Sequence, residues 1–254
     1  MKNIWVLATL TMREAIRDRI LYLLLFFAIM LIVTSSVIGR LTVGDEIKII
    51  KDFGLTSISF FGVLISIFLG IGLLYKEIDK KTIYVIISKP IKRSHFIIGK
   101  FIGLLFVLFA NWLFMSIIFL ALIAMKKAWD TNLIWALLAI YFEFIIITAI
   151  AILFSSFSTP ILSSLFSLCI YFTGHLIEGL KMMEKKIESA IPKAIVIFSY
   201  YLLPNLERFN LRGVVVHGDY LGDMQLFYSF LYAVVYSCAL LLLAIAIFQR
   251  RNFI

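Results

Sequence analysis

The pattern of apolar positions along the chain is dominated by uncharged stretches that are long enough to cross a bilayer. A hydrocarbon core of about 30 Å requires roughly 20 apolar residues in an α-helix. Glu143 interrupts one such stretch, and another is short and begins directly after Pro160. The pattern predicts an all-α integral membrane protein, a single transmembrane domain over residues 1–254. Its six predicted transmembrane helices cover residues 20–38, 55–75, 101–124, 133–155, 161–176 and 226–248.

The composition places the chain in the same class. Hydrophobic residues make up 63% of the sequence and charged residues 15%, with a mean hydropathy of +1.04. A soluble fold of this length has too little interior for so much apolar surface, and the same figures argue against a disordered chain or a nucleic-acid-binding protein. Cys169 and Cys238 lie in apolar stretches, so we expect small buried hydrophobic residues and neither a disulfide nor a metal cluster.

The charges indicate an orientation. Lys and Arg number 24 against 15 Asp and Glu, a formal net charge of +9. In a membrane protein such an excess reports orientation and contact with anionic head groups. The basic cluster between the second and third spans predicts a multi-pass membrane protein with both termini in the cytoplasm. Residues 76–98 would then face the cytoplasm and residues 177–225 the outside. A cleaved signal peptide is the alternative interpretation of the first span.

Residues 1–18, before the first span, show the pattern of an amphipathic helix. Trp5 and Met12 share one apolar face, whereas Arg13 and Arg17 lie elsewhere on the helix. One interpretation is a membrane-surface anchor with Trp5 at head-group depth and the arginines on phosphates. The alternative is a lever packed beside a cytoplasmic partner. The pattern leaves both open.

The segment 76–98 is too charged to span the membrane and too apolar for a solvated loop. Glu77 and Lys81 are four residues apart, a spacing that favours a helix, and Pro90 ends that helix. Ile83, Ile86 and Ile87, which lie between Lys81 and Pro90, would then reach the membrane surface. A basic turn returning to the membrane would explain the charges alone, but an exposed apolar helix face usually marks a contact with another molecule.

These features together resemble a known family. The loop motifs are similar to the cytoplasmic loop of ABC-2 type transporter permeases, especially permeases of nitrous-oxide-reductase maturation systems. The N-terminal helix resembles the connecting helix of that family. The motifs are Glu77 before a short amphipathic helix, Ser88-Lys89-Pro90, Arg93, Gly99-Lys100, Phe154-Ser-Ser-Phe157 with Pro160, and the aromatic-basic end from Phe248 to Phe253.

The resemblance implies a fold and a function. The fold would be ABC-2, or type V exporter-like, with a cytoplasmic coupling helix and a re-entrant segment before the last span. The chain would be the permease subunit of an ATP-binding cassette transporter, paired as a homodimer on two ATP-binding subunits. It would move a substrate, or transmit force, across the cytoplasmic (inner) membrane. The implied site residues are Glu77, Lys81, Ile83, Ile86, Pro90 and Arg93 for coupling to the ATPase, and Trp5, Met12, Arg13 and Arg17 in the connecting helix.

The sequence contains no motif for binding a triphosphate. No G-x-x-x-x-G-K-[ST] occurs, and Gly99-Lys100 is followed by Phe101. We therefore expect no enzymatic activity and no cofactor in this chain, with ATP bound by a partner subunit. An ion-coupled secondary transporter and an intramembrane enzyme are the alternatives. A secondary transporter would be expected to show matching internal repeats, and the sequence shows none. An intramembrane enzyme would need a motif such as H-E-x-x-H or G-x-S-x-G, and the sequence contains neither.

Glu143 is the one ionisable residue deep in a predicted span. Burying it charged is costly, so it suggests a function and a partner inside the bundle or at a cavity. The alternative is a neutral or hydrogen-bonded glutamate, with Asn111 or Thr148 as its neighbour. Asn111 itself is predicted to form a contact between helices.

The segment 177–225 contains an apolar run, Ile191 to Leu203, that is short for a crossing and is predicted to be re-entrant or interfacial. The polar residues after it predict an extracytoplasmic loop that acts as a lid, or that receives a periplasmic partner or a substrate. No metal site is predicted, because the soft donors lack ligand spacing. These donors are His175, Met182, Met183, His217 and Met224.

Overall fold

The computed structural model describes residues 2–41, 45–79, 92–183, 190–217 and 223–250. These residues form helices and short connections, without a strand in the described ranges. The helices are α1 (Lys2–Ile16), α2 (Arg19–Arg40), α3 (Glu46–Asp79), α4 (Arg93–Met125), α5 (Asn132–Ser155), α6 (Pro160–Met183), α7 (Ala190–Leu202), a 3-10 turn (Glu207–Phe209), α8 (Arg212–His217) and α9 (Asp223–Arg250).

Six helices, α2 to α6 and α9, are long and apolar enough to cross a membrane. The prediction of an all-α membrane protein with six such helices is therefore confirmed. The helices extend past the uncharged stretches: α3 begins at Glu46 and α4 at Arg93. A helix continues into the polar region because its backbone groups remain paired there, whereas a hydropathy window stops at the first charges.

Two central helices, α3 and α5, organise the bundle. Both are buried along most of their length, whereas α2, α6 and α9 are buried over less than a third. α2 lies along α3, α9 along α5 and α1 along α4. The expectation that Cys169 and Cys238 are buried is wrong, because both lie on the exposed sides of the outer helices α6 and α9.

Successive membrane-crossing helices run in opposite directions, so the bundle has two ends. The α1 end carries α1, the start of α4 and the end of α9, where Arg93 donates to the carbonyl of Phe248. The distal end carries α7, the 3-10 turn and α8. There, Lys51 of α3 pairs with Asp130 at 3.1 Å and reaches the carbonyl of Val215.

The C-terminal end of α7 lies beside the middle of its neighbours. The Tyr236 hydroxyl in α9 donates to the Leu202 carbonyl at 3.0 Å, and the Leu206 N–H donates to the Gly174 carbonyl of α6 at 3.1 Å. These contacts fix the end of α7 against α9 and the residues after α7 against α6. The predicted apolar run is thus a helix, and its re-entrant character stays a prediction.

Glycines allow α3 and α5 to approach closely. An added Cβ at Gly62 would overlap the ring of Phe144, which is fully buried. At Gly70 it would lie 2.9 Å from the Cβ of Ala151. The central contact therefore depends on the absence of side chains along one face of α3.

We expect Gly62→Ala to destabilise the protein by about 1–3 kcal/mol, because the fully buried ring of Phe144 would have to shift to make room for the added Cβ. Gly72→Ala is the matched control on the same helix, since nothing lies within 4 Å of its added Cβ. Both changes alter helix propensity alike, so the difference between them reports the overlap. Thermal unfolding in detergent micelles measures it, and equal midpoints for the two variants would contradict the prediction.

Candidate functional site

A network of polar side chains connects the middle of α5 with the distal end of the bundle. Its members come from α3, α5, α6 and the segment after α7, and they lie among apolar helix faces. We call this set the polar network. It consists of Thr56, Ser59, Glu143, His175, Glu207, Asn210 and Arg212.

Glu143 is the innermost member of the polar network. It is only 2% exposed, near the middle of α5. Its Oε1 lies 2.8 Å from Nε2 of His175, and its Oε2 accepts a hydrogen bond from the Ser59 hydroxyl at 3.1 Å. Both carboxyl oxygens are therefore paired, which offsets the cost of burying this group between helices.

His175 lies between two carboxyl groups. Its Nδ1 is 3.0 Å from Oε2 of Glu207, while its other ring nitrogen faces Glu143. If both carboxyl groups are ionised, the ring must donate from both nitrogens and carry a positive charge. Otherwise one carboxyl group carries the proton. In either state a chain of hydrogen bonds joins the interior of the bundle to the distal end.

The distal part of the polar network fastens the segment after α7 to α3. Glu207 accepts from the Asn210 amide at 2.7 Å, and the Asn210 oxygen accepts from Arg212 Nε at 2.9 Å. Arg212 also donates to the Thr56 hydroxyl at 2.7 Å. A cavity of about 10 Å³ between Glu143 and Arg212 has room for about one water molecule.

At the other end of the bundle, α1 crosses α4 at two glycines. A Cβ added at Gly99 would lie 2.6 Å from the Cβ of Leu7, and one added at Gly103 would lie 2.6 Å from the carbonyl oxygen of Ala8. Glycines four residues apart let helix backbones approach closely. Leu7 and Ala8 are buried in this crossing. The position of α1 is therefore set by backbone contact.

Charged groups reinforce the same end. Lys100 lies 3.1 Å from Glu14, and its side chain is 3% exposed against 37% for Glu14. Arg93 donates to the carbonyls of Phe248 and Gln249 at 3.1 and 3.0 Å, so it joins the start of α4 to the end of α9. We call α1, the start of α4 and the end of α9 the α1 platform. It connects a surface helix directly to two membrane-crossing helices.

Comparison with known proteins identifies the family. Residues 15–178, more than half of the chain, match the model of a family described as ABC-2 family transporter protein. The chain belongs to the ABC-2 transporter family. No curated protein matches it. The matched range includes Glu143 and His175 but ends before Glu207 and Arg212, so the polar network links the matched range to the segment after α7.

The partners of Glu143 in this ABC-2 protein differ from those expected. Thr148 donates to the Phe144 carbonyl, and the Asn111 amide donates to the Val107 carbonyl, each within its own helix. The partner is instead His175 of α6, a helix that packs against α5. The sequence feature that could have predicted this pairing is the short turn at residues 156–159, between α5 and α6. Antiparallel helices joined by a short turn bring together residues at similar distances from it, and Glu143 and His175 are such a pair.

The residues predicted for the connecting helix lie on different sides of α1 and of the turn after it. Met12 is half-buried against the core, whereas Trp5 is 59% exposed with its ring centroid 6.0 Å from that of Phe106. Arg13 and Arg17 are exposed. The helix thus buries its small residues and presents Trp5 outward. Whether α1 acts as a membrane-surface anchor or as a lever beside a cytoplasmic partner stays a prediction.

The predicted coupling residues fall mostly outside the described part of the chain. Arg93 is described and belongs to the α1 platform. The backbone of Glu77 continues α3, which ends at Asp79. Four residues of the predicted coupling helix lie outside the described residues: Lys81, Ile83, Ile86 and Pro90.

Proposed function

We propose that this ABC-2 protein is the permease subunit of an ATP-binding cassette transporter of the cytoplasmic membrane. Two copies would associate with two ATP-binding subunits, and the assembly would move a substrate or transmit force across the membrane. The observation that carries the proposal is the family match over residues 15–178. The sequence adds that no triphosphate-binding motif is present, so the energy source would lie in a partner.

The α1 platform supports coupling to such a partner. The basic residues of segment 76–98 favour a cytoplasmic location for the α1 end. There, a displacement of α1 would reach α4 through Gly99 and Gly103, and α9 through Arg93. A rigid contact transmits such a displacement, whereas a flexible loop would absorb it.

Co-purification tests the proposal. The tagged chain should retain an ATP-binding subunit with a Walker motif when purified from its native membrane, and the reconstituted complex should hydrolyse ATP in a substrate-dependent manner. Recovery of the chain without any ATP-binding subunit would contradict the proposal, because a family permease has no energy source of its own.

We further expect Ile83→Asp and Ile86→Asp to reduce the stimulation of the ATPase several-fold without unfolding the protein, because a charge would disturb an apolar docking face. Ile197→Asp is the matched control. Ile197 is exposed on α7 at the distal end, away from the proposed ATPase. ATPase assays on the reconstituted complex measure the effect. Unchanged stimulation of the ATPase in both variants would contradict the assignment of Ile83 and Ile86 to a docking face for the ATPase.

A further inference from the structure

An open cavity of about 1050 Å³ lies at the distal end, between α6, the end of α7, the 3-10 turn and α9. Its wall combines charged groups with aromatic rings. The acids are Glu178 and Glu207, the base is Arg208, and the rings include Tyr228 and Tyr232. A cavity of this size that is rich in tyrosine and charge fits a polar group larger than an ion.

Two charges of this wall are available to a ligand. Glu207 is occupied, because it accepts from Asn210 and faces His175. Glu178 and Arg208 form no ion pair within the described ranges, and the Arg208 guanidinium lies 5.1 Å from the ring centroid of Tyr232. A carboxylate and a guanidinium in one wall, neither with an ion-pair partner among the described residues, complement a ligand that carries both signs of charge.

A separate apolar groove of about 390 Å³ lies beside the cavity along α9, toward the middle of the bundle. It lies between α5, α6 and α9 below the end of α7. Its wall is almost entirely hydrocarbon, with Phe154, Ile170, Ala239 and Leu243 among the lining residues. A groove of this composition at the depth of membrane-crossing helices fits an acyl chain and offers no partner to a polar group.

The helix α9 lines both the cavity and the groove. Tyr232 lines the cavity and Tyr236, one turn further along α9, lines the groove. Both tyrosines are held in place: the Asn205 N–H donates to the Tyr232 hydroxyl, and the Tyr236 hydroxyl donates to the carbonyl of Leu202, each at 3.0 Å. The polar and apolar sites are therefore neighbours along α9, and the tyrosine hydroxyls beside them are fixed by hydrogen bonds.

We propose that the cavity and the groove together bind a zwitterionic amphiphile with the chemistry of phosphatidylethanolamine. The phosphate would bind Arg208, the ammonium would bind Glu178 and the tyrosine faces, and one acyl chain would occupy the groove. The proposal that this amphiphile is a transported substrate rests on the proposed transport function. The proposal that it binds at this site does not depend on that function.

Head-group selectivity is tested on the purified full-length chain in dodecyl maltoside, without any ATPase. The probes are lysophosphatidylethanolamine and lysophosphatidylglycerol with identical 14-carbon chains, and binding is measured by isothermal titration calorimetry. Glu178→Gln should weaken binding of the ethanolamine lipid about tenfold and leave the glycerol lipid unchanged. Arg208→Gln should weaken both. Equal binding of both lipids to the wild-type chain, or no effect of Glu178→Gln, would overturn the head-group assignment.

Chain recognition is tested with Ala239→Phe, which fills the groove. It should abolish the preference for a 14-carbon over a 6-carbon lysophosphatidylethanolamine. Leu242→Phe is the matched control, since Leu242 is 68% exposed and does not line the groove. Equal chain-length preference in both variants would overturn the proposal. So would light scattering showing that Ala239→Phe dissociates a dimer, because a second copy would then cover the groove. Either failure leaves the co-purification test of the transport function unaffected.

Discussion

Replacing His175 with alanine should cost about 3–5 kcal/mol of stability, and much of this loss should return when Glu143 is replaced by glutamine in the same chain. The reason is the burial of Glu143, which is 2% exposed and 2.8 Å from the imidazole. Without the ring, the carboxyl group keeps only the Ser59 hydroxyl as a described partner. Removing one partner of a buried pair leaves the other charge uncompensated, and this penalty exceeds the value of the pair itself.

A double-mutant cycle measures this coupling. Glu143→Gln alone should have a small effect, because an amide can still bond to the ring and to Ser59 without carrying a charge. The coupling between the two changes should therefore be large and favourable, measured as thermal unfolding in detergent micelles. His95→Ala, at the α1 end, is the matched histidine control. Simple additivity of the two changes would show that the described contact contributes nothing.

The same variant separates structure from transport. If Glu143 acts only through hydrogen bonds, Glu143→Gln should retain most of the transport activity of the wild-type complex. If proton exchange through His175 and Glu207 is part of the transport cycle, the glutamine variant should fold normally and lose activity. The pair of measurements, stability and transport on the same preparation, distinguishes the two roles.

The sequence predicted the elements of this bundle well because each is decided locally. An uncharged stretch such as residues 101–124 must be a helix in lipid, where backbone groups have no other partner. The segment 1–18 carries its amphipathic pattern within a few turns, and α1 forms there. Glu143 was recognised as unusual for the same reason, since one charge among apolar residues is visible without any knowledge of the fold.

The contacts of these elements were harder to predict because they depend on register. Glu143 bonds to His175 and Ser59, from two different helices, and no pattern within α5 contains that information. Cys169 and Cys238 were misplaced because lipid and protein interior are equally apolar, so composition cannot tell an outward face from an inward one. Burial in a membrane bundle is decided by which helices become central, here α3 and α5.

Gly103→Leu should separate α1 from α4 and reduce coupled transport about tenfold, because changes in a coupling element alter coupling by up to about 2 kcal/mol. An added Cβ at Gly103 would lie 2.6 Å from the Ala8 carbonyl oxygen, and a backbone atom cannot rotate away as a side chain can. The helix itself should tolerate leucine, which is a good helix former. In the proposed complex, ATP hydrolysis should therefore persist while transport falls.

The structural part of this prediction can be measured without the ATPase. In a chain whose Cys169 and Cys238 are replaced by alanine, a cysteine at position 7 should react slowly with a thiol reagent, because Leu7 is 6% exposed. Adding Gly103→Leu should accelerate that reaction, whereas Ala110→Leu, on an exposed face of the same helix, should not. If the Gly103→Leu chain is labelled slowly but has lost coupling, α1 still lies on α4, and the loss of coupling must arise elsewhere in α4. Fast labelling with intact coupling would show that α1 is an anchor, because a lever that has left α4 could no longer move it.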